Sequence, residues 1–407
     1  MRWLLFIVFY ILVDIYAFQA FRTFSKSFLL NSIYISISLF FLGFFIYTLS
    51  SMDRSKGIQT SEMYALGWFL VFLVPKLILL VVLFGEDVVR FILAILNSLF
   101  GKTESFQLPS RRKFVSTLAL GIAAIPFVSL IYGMYKGKYR YRVLSYTLEF
   151  EDLPEAFDGY RITQISDIHS GSFDNKEKIS YGVDLINEQK SDVILFTGDL
   201  VNNFAHEMKE WTSLFATLTA PDGVYSVLGN HDYGDYADWE SQDAKQKNLN
   251  TLKKLQAEMG WKLLLNEHTF IERDGEHLAL VGVENWGAGF KQAGDIDLAS
   301  EGLTDKDFKV LMSHDPSYWA ERLKKDPKNY QLTLSGHTHG MQFGIEIPGF
   351  LRWSPVQYRY ENWAGIYKEN NRVLNVNRGF GYLGYPGRVG IWPEVTVIEL
   401  RRKRQSL

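Results

Sequence analysis

Side chains that can bind metal ions occur in five short segments of the chain. The segments supply Asp167 and His169, then Asp199, then Asn230 with His231 and Asp232, then His314, and finally His337 and His339. Five of the eight histidines of the protein lie in these segments. Imidazole and carboxylate ligands together suit Zn, Mn or Fe. The pattern therefore predicts a site for such ions.

Each of these segments follows a short apolar run that predicts a buried β-strand. The five runs cover residues 160–166, 192–197, 224–228, 308–313 and 331–335. Helix-compatible polar runs occur at residues 176–190, around 206–218 and near 243–259. In open α/β sheets, binding sites form at the carboxyl ends of the strands. We therefore expect the five segments to meet at one edge of an α/β fold.

Taken together, the five segments resemble the calcineurin-like metallophosphoesterases, whose pattern is D-x-H, G-D, G-N-H-[DE], H and G-H-x-H. The resemblance covers residues 160–400 or so and implies a four-layer α/β/β/α sandwich. The tail of this region looks like a membrane-linked bacterial branch of the family. That branch usually has glycine where Met341 stands in this chain.

The resemblance implies a site with two divalent metal ions, which are Mn, Zn or Fe. One ion is expected at Asp167, His169 and His339, the other at Asn230, His314 and His337, and Asp199 is expected to bridge them. Two such ions lower the pKa of a bridging water, so that a hydroxide attacks the phosphorus atom.

Two further residues are expected to assist the reaction. His231 is expected to stabilise the transition state or to protonate the leaving group. Asp232 is expected to orient His231 by accepting its second N–H group. The alternative for Asp232 is a turn residue that caps the following helix.

The amino-terminal third of the chain differs sharply from the rest. Residues 1–50 hold only four charged side chains. Apolar stretches long enough to cross a bilayer occur at residues 3–21, 30–49, 66–84 and 114–132. A shorter apolar stretch at residues 88–100 predicts an interfacial or re-entrant helix, with a fifth span as the alternative. We therefore divide the chain into a transmembrane region of about four spans (1–135), a juxtamembrane linker with the first strand (136–158) and a metallophosphoesterase domain (159–407).

Several charged and aromatic side chains allow two interpretations. Asp14 and Lys76 lie inside predicted spans, where they either pair or snorkel, or else form a ligand site. Arg378 and Arg388 are candidates for binding a phosphate or diphosphate. The aromatic residues near them form either an apolar wall of the pocket or part of the core; they are Trp353, Tyr358, Tyr360, Trp363, Tyr382 and Tyr385. Asn202 and Asn203 either line the pocket or belong to a loop.

The orientation in the membrane rests on the charges that flank the fourth apolar stretch. The preceding residues are Arg111, Arg112 and Lys113, within a run that also resembles a twin-arginine export signal; the following residues are Lys136, Lys138, Arg140 and Arg142. The first group favours an extracytoplasmic domain, and the second group favours the opposite orientation. The second group either contacts anionic lipid or is a solvated linker. We predict a multi-pass protein of the bacterial inner membrane with an extracytoplasmic domain.

The predicted function is that of a membrane-anchored phosphodiesterase or pyrophosphatase that hydrolyses a lipid-linked phosphoester. With 43 basic and 45 acidic residues the chain has no basic excess, which argues against nucleic acid as a partner. The alternatives are a non-catalytic, membrane-tethered metal-binding or sensor module, and a protein phosphatase.

Overall fold

The computed structural model describes residues 2–100, 109–347, 349–369 and 371–403. Within it the chain forms two compact units. The first comprises Met1–Met52 and Ser61–Met134, and the second comprises Asp53–Thr60 and Tyr135–Leu407. The short segment 53–60, which the sequence placed with the membrane region, thus belongs to the second unit. There the carbonyl of Arg54 accepts a hydrogen bond from the backbone N–H of Asp238 (3.4 Å).

The first unit is built from four long apolar helices. They are α1 (Arg2–Phe24), α2 (Phe28–Ser50), α3 (Thr60–Leu99) and α4 (Pro109–Tyr135). Each is long and apolar enough to cross a membrane. The side chains of residues 109–111 lie outside the described part, so the basic run before the fourth span is described only from Arg112 onward.

The prediction of a separate helix at residues 88–100 is wrong. Instead α3 continues without a break for 40 residues, which corresponds to about 60 Å. A salt bridge between Glu86 and Arg90 (2.7 Å) joins adjacent turns across the junction, and pairs at this spacing stabilise a helix. No proline follows Pro75 in α3, so every residue at the junction retains the backbone N–H group that a continuous helix requires.

The two charged residues that lie inside predicted spans, Asp14 and Lys76, form an ion pair. Lys76 Nζ lies 2.7 Å from Asp14 Oδ1. It also donates to Tyr10 Oη (2.9 Å) and to Ser38 Oγ (2.7 Å). All three ammonium hydrogens of Lys76 therefore have acceptors, which satisfies the requirement for a charge in an apolar bundle. The structure thus contains the pairing that was one of the two interpretations of these residues.

The second unit contains two six-stranded mixed sheets. The first sheet has the order β1 (Arg142–Phe150), β14 (Glu394–Arg402), β2 (Arg161–Ile165), β3 (Val193–Phe196), β4 (Val224–Ser226) and β5 (Trp261–Leu263). The second has the order β12 (Gly365–Glu369), β13 (Arg372–Val376), β9 (Leu332–Ser335), β8 (Lys309–Met312), β7 (Glu276–Gly282) and β6 (Glu267–Arg273). A separate hairpin pairs β10 (Ile345–Ile347) with β11 (Leu351–Trp353).

Apolar side chains from both sheets form the central core. Leu195 of the first sheet and Leu280 and Leu334 of the second are fully buried in one cluster. The helices of this unit are α5 (Lys176–Asn187), α6 (Thr212–Phe215), α7 (Gln242–Glu258), α8 (Ile296–Ala299) and α9 (Pro316–Glu321). The first three pack with the first sheet, and the last two pack with the second. The predicted α/β/β/α sandwich after an all-helical region is confirmed.

The helix expected around residues 206–218 is not continuous. A 3₁₀ turn at Ala205–Met208 precedes the four residues of α6. The Glu207 carboxylate accepts hydrogen bonds from the backbone N–H groups of Asn203 (3.2 Å) and Phe204 (3.1 Å). This closes a tight turn in place of a longer helix.

Candidate metal centre

The seven predicted ligands follow five strands that end at one edge of the two sheets. Asp167 and His169 follow β2, Asp199 follows β3, Asn230 follows β4, His314 follows β8, and His337 and His339 follow β9. The strands β2, β3 and β4 run parallel in one sheet, and β8 and β9 run parallel in the other. Parallel strands present their carboxyl ends together, and this brings the five segments into one cluster.

The backbone is strained at five of these ligands. Positive φ angles occur at Asp167 (52°), His169 (49°), Asp199 (62°), His337 (72°) and His339 (50°). Residues other than glycine rarely adopt this conformation, and it costs about 1–3 kcal/mol at each position. Such strain persists where the surrounding structure enforces it, and it concentrates at functional sites.

Asp167, His169 and His339 form the first cluster. Their ligand atoms all lie within 4.8 Å of one another. The two imidazole Nε2 atoms of His169 and His339 are 3.0 Å apart, and His339 Nε2 is 3.3 Å from Asp167 Oδ1. Two imidazole nitrogens at this distance need a proton or a cation between them, because their lone pairs otherwise repel.

Asp199, His314 and His337 form the second cluster, again with ligand atoms within 4.8 Å. The side-chain oxygen of Asn230 faces the same point, 3.2 Å from His314 Nε2 and 2.8 Å from His337 Nδ1. Asp199 faces both clusters. Its Oδ2 lies 3.2 Å from Nε2 of His314 in the second cluster and 3.5 Å from Nε2 of His169 in the first cluster. This carboxylate therefore stands between the two groups of ligands.

Hydrogen bonds fix three of the imidazole rings from behind. His169 Nδ1 faces Asn202 Oδ1 (3.1 Å), and His314 Nδ1 faces the carbonyl of Thr197 (2.7 Å). His337 Nε2 faces the hydroxyl of Tyr360 at 2.8 Å. The outer nitrogens of His169 and His314 can each donate a hydrogen to these oxygens, which leaves their inner nitrogens available to bind a metal ion.

The electrostatics of the centre favour positive charge. Burial opposes an ionised imidazole at His314, but the carboxylates of Asp199 and Asp167 outweigh it and raise the His314 pKa to about 10. Burial also opposes the ionised carboxyl of Asp199, yet the surrounding histidines hold its pKa well below the usual range. Burial lowers the pKa of His169 well below its usual value. Because a divalent metal ion binds neutral imidazoles and ionised carboxylates, its binding must displace the proton that these carboxylates hold on His314 in the metal-free centre.

His231 lies beside the first cluster with a fixed orientation. Its ring is 4.9 Å from the ring of His169, and its Nδ1 donates to the backbone carbonyl of Asn202 (2.8 Å). Burial lowers the pKa of His231. The Nε2 atom is thus the nitrogen left to meet a substrate.

The structure assigns Asp232 a different role from the one expected. It accepts hydrogen bonds from the backbone N–H groups of Asp199 (3.0 Å), Leu200 (2.8 Å) and Gly229 (2.9 Å). The partner of His231 is the Asn202 carbonyl, so Asp232 does not orient that ring. It instead ties together the turns after β3 and β4. It is a turn residue, although it does not cap a following helix.

Two residues that sequence reasoning missed support the ligands. Asp315, which is fully buried, places its Oδ2 3.4 Å from His337 Nε2. Tyr236 accepts a hydrogen bond from Asn230 Nδ2 (2.8 Å), which turns the amide oxygen of Asn230 toward the cluster. In the sequence, the indication of a supporting role for Asp315 is its position directly after His314 and before Pro316. No pattern in the sequence singles out Tyr236.

The two arginines that were candidates for binding a phosphate instead bind other groups of the protein. Arg378 forms ion pairs with Glu394 and Glu346, both at 2.5 Å. Arg388 is completely buried, donates to the carbonyl of Gly381 (2.7 Å) and lies 3.2 Å from His339 Nδ1. Neither guanidinium is therefore presented to a substrate phosphate.

The six aromatic residues of the tail do not form one wall. Trp363 and Tyr382 are buried, whereas Tyr358 is 79% exposed. The hydroxyl of Tyr360 lies 2.8 Å from Nε2 of His337, a candidate metal ligand. Tyr360 therefore lies at the metal centre, whereas Trp363 and Tyr382 belong to the core.

Comparisons with known proteins match both units of the chain. Residues 1–138 match a family described as probable calcineurin-like phosphoesterase, transmembrane domain, and residues 160–341 match the calcineurin-like phosphoesterase family. An uncharacterized metallophosphoesterase of Bacillus subtilis, YkuE, is 29% identical over 299 residues, which is 72% of this chain and 98% of that protein. A transmembrane protein with metallophosphoesterase domain from Danio rerio is 28% identical over 298 residues, 70% of this chain and 63% of that protein.

Proposed function

From the premise that the chain belongs to the calcineurin-like metallophosphoesterases, we propose that it hydrolyses a lipid-linked phosphoester at the surface of the bacterial inner membrane. It is a membrane protein with four candidate spans and a metal-dependent phosphoester hydrolase by family. The observation that carries the proposal is the convergence of two ligand clusters on Asp199.

The residues present fit two divalent metal ions. Asp167, His169 and His339 would hold one ion, and Asn230, His314 and His337 would hold the other, with Asp199 shared between them. Mixed nitrogen and oxygen ligands suit Mn, Zn or Fe. Bound there, two such ions would supply a hydroxide at neutral pH and offset the negative charge of the phosphoryl group.

The protein itself contributes the orientation of the reacting groups. The Nδ1–H of His231 is held by the Asn202 carbonyl, so its Nε2 can donate to a phosphoryl or leaving-group oxygen once it is protonated. The backbone N–H of His231 donates to Asp199 Oδ1 (2.9 Å), which fixes the shared carboxylate relative to the ring. One turn thus positions both the acid and the central ligand.

A membrane-bound substrate is favoured by the short connection between the two units. The helix α4 ends at Tyr135 and β1 begins at Arg142, so the six intervening residues reach at most about 20 Å. Two basic side chains of this connection contact protein: Lys138 pairs with Asp174 (2.6 Å), and Arg140 lies over Trp392. The short tether, rather than a basic patch, therefore supports an amphiphilic substrate.

The test uses the purified full-length chain in detergent with added Mn²⁺. We expect hydrolysis of bis-p-nitrophenyl phosphate, loss of activity with a chelator, and faster hydrolysis of lipid phosphoesters than of matched soluble esters. His231→Ala should keep the bound metal while lowering kcat by about 10²–10⁴. A metal-loaded protein that hydrolyses no phosphoester would instead favour the membrane-tethered metal-binding module.

The orientation of the domain is a separate part of the proposal. We propose that the domain is extracytoplasmic, on the basis of the basic residues Arg111, Arg112 and Lys113 at the amino-terminal end of α4. Protease added to intact spheroplasts should digest the domain. A domain that stays protected while a periplasmic control is digested is cytoplasmic.

A further inference from the structure

The hairpin of β10 and β11 presents apolar side chains to solvent on one face. The directly opposed pairs Ile345 with Trp353 and Ile347 with Leu351 share this face. Ile345, Ile347 and Leu351 are 41–50% exposed, and Phe350, between the two strands, is 83% exposed. These five residues form the apolar face of the hairpin. Contiguous exposed apolar groups mark a site of interaction with a protein or a membrane.

The opposite face of the hairpin carries charges that bond to the second unit. Glu346 and Arg352 are directly opposed there. The Glu346 carboxylate pairs with Arg378 (2.5 Å), and the Arg352 guanidinium donates to the backbone carbonyl of Ala364 (2.6 Å). The hairpin is therefore fastened through its charged face and its apolar face is left uncovered. A hairpin on a water-exposed surface normally has the reverse arrangement.

Both ends of the hairpin start from the loop that carries His339. Residues 340–344 lie between His339 and β10. Directly after β11, the hydroxyl of Ser354 donates to the backbone carbonyl of Gly340 (2.8 Å). Each strand of the hairpin has three residues, which corresponds to about 10 Å. Whatever covers the apolar face therefore lies close to the metal centre.

The same loop contains a further exposed apolar side chain. Met341 is 59% exposed, yet its φ is 54°, in the left-handed region that favours glycine. Backbone strain of this kind persists where the surrounding structure enforces it, and it concentrates at functional sites. The exposed apolar character of the hairpin thus extends into the metal-binding loop.

The strand by which the chain enters the second unit is connected to the hairpin. Arg142 begins β1 and is paired in register with Glu394 of β14. Arg378 bridges Glu394 and Glu346, each at 2.5 Å. Six residues, at most about 20 Å, separate Arg142 from the end of α4. The hairpin therefore lies on a part of the unit that the short connection keeps close to the bilayer.

A lipid surface fits the apolar face better than another protein chain does. The face consists of five side chains, whereas a stable protein interface has about 20–30 residues on each side. Shallow insertion of a few apolar side chains among lipid headgroups needs no such area. The spans of the same chain already hold the hairpin at a high effective concentration near the membrane.

We propose that the apolar face of this hairpin inserts into the lipid surface of the membrane and places the metal centre at the level of the lipid headgroups. The docking itself does not depend on catalysis. Its consequence for access to a lipid-linked substrate rests on the proposed phosphoesterase function.

The docking is tested by fluorescence quenching, which needs no turnover. The chain contains no cysteine, so Phe350→Cys can be labelled selectively with a nitrobenzoxadiazole fluorophore. Phe270→Cys is the matched control, because Phe270 is exposed on β6, at the opposite edge of the second sheet from β12. The hairpin is bonded to β12 through Arg352 and Tyr367 (3.3 Å). The labelled full-length chains are reconstituted at one chain per phosphatidylcholine nanodisc, with and without 5-doxyl lipid.

We expect the doxyl lipid to remove most of the emission at position 350 and little at position 270. Equal quenching at the two positions, or quenching at neither, would overturn the docking. A label at position 350 that is shielded from water only when two chains share a nanodisc would identify a second copy of the chain as the occupant, and would overturn the proposal equally.

The consequence for the substrate is tested with a double variant in nanodiscs. Ile347→Thr with Leu351→Thr reduces the apolar area but keeps residues that favour strands. For the p-nitrophenyl ester of dioleoyl phosphatidic acid, kcat/KM should fall by about tenfold, as expected for two half-exposed apolar side chains. Hydrolysis of soluble bis-p-nitrophenyl phosphate should not change, and Phe270→Thr should affect neither ester.

The outcomes separate the docking from the proposed function. Quenching at position 350 in a Mn²⁺-loaded chain that hydrolyses neither ester supports the docking and refutes the phosphoesterase function. An equal fall for both esters in the double variant, or no fall for the lipid ester, would contradict a role of the hairpin in substrate access.

Discussion

Asp315 combines two functions that substitutions can separate. Its Oδ1 accepts a hydrogen bond from the backbone N–H of Ser317 (2.8 Å) and so caps α9. Its Oδ2 lies 3.4 Å from His337 Nε2 and has no other partner in the described structure. Asp315→Asn keeps an oxygen for the cap and removes the negative charge behind His337.

The expected cost falls on metal binding rather than on folding. Loss of a carboxylate behind a metal-binding histidine typically lowers affinity 10–100-fold, which equals about 1.4–2.8 kcal/mol. We expect this loss of affinity for the ion at the second cluster, which contains His337. The ion at the first cluster should keep its affinity, because Asp315 lies beside a ligand of the second cluster. Asp315→Ala should show the same loss and, in addition, lower the free energy of unfolding by about 1 kcal/mol through the missing cap.

The assay is a calorimetric titration of metal-free protein with Mn²⁺, paired with thermal unfolding. Asp295 caps α8 through the same kind of hydrogen bond, to the N–H groups of Asp297 and Leu298. Asp295→Ala is therefore the matched control, which should lower stability and leave both affinities unchanged. Binding of two ions by Asp315→Asn with the original affinities would contradict this role of Asp315.

Three further substitutions test other parts of the structure. Gly336→Ala should abolish metal binding at the first cluster, measured as metal content, because the new Cβ would clash with the carboxylate of Asp167 as well as with the side chain of Ser166; retained metal would contradict this. Lys76→Met should lower stability in detergent by about 3 kcal/mol by leaving the carboxylate of Asp14, which is 16% exposed, without its cationic partner, and an unchanged Tm would contradict it. Burial raises the pKa of Glu207 from 4.5 to about 7. The protonated side chain of Glu207 therefore stabilises the fold below pH 4.5, and this stabilisation is lost as pH rises through 7. The free energy of unfolding, measured relative to that of Glu207→Gln, should fall by about 3 kcal/mol between these pH values, and a constant difference between the two proteins would contradict this.

The arrangement of the ligands was predictable because it depends on topology. A strand fixes the direction of the chain, so residues such as Asp167 and His314 that directly follow buried strands must lie at the same edge of the sandwich. The apolar runs also predicted the sheets, since β-strands buried on both faces read as continuous apolar segments.

The supporting contacts depend on distances that the sequence does not contain. Asp232 follows His231 in the chain, yet the turn directs its carboxylate to backbone N–H groups of the neighbouring turn. Arg378 resembles a phosphate ligand until the fold brings Glu346 and Glu394 to it. The end of α3 was missed because an apolar run does not reveal whether a helix continues or restarts.

We propose that phosphoester hydrolysis by this chain requires two divalent metal ions, with Asp199 as their shared ligand. The most direct test is to remove all metal from the full-length chain and add Mn²⁺ stepwise while following bound metal and p-nitrophenol release from bis-p-nitrophenyl phosphate. We predict that activity appears with the metal and reaches its maximum at two ions per chain, and that Asp199→Ala neither binds two ions nor hydrolyses the ester. Full activity in the metal-free chain, or in Asp199→Ala, would contradict the account.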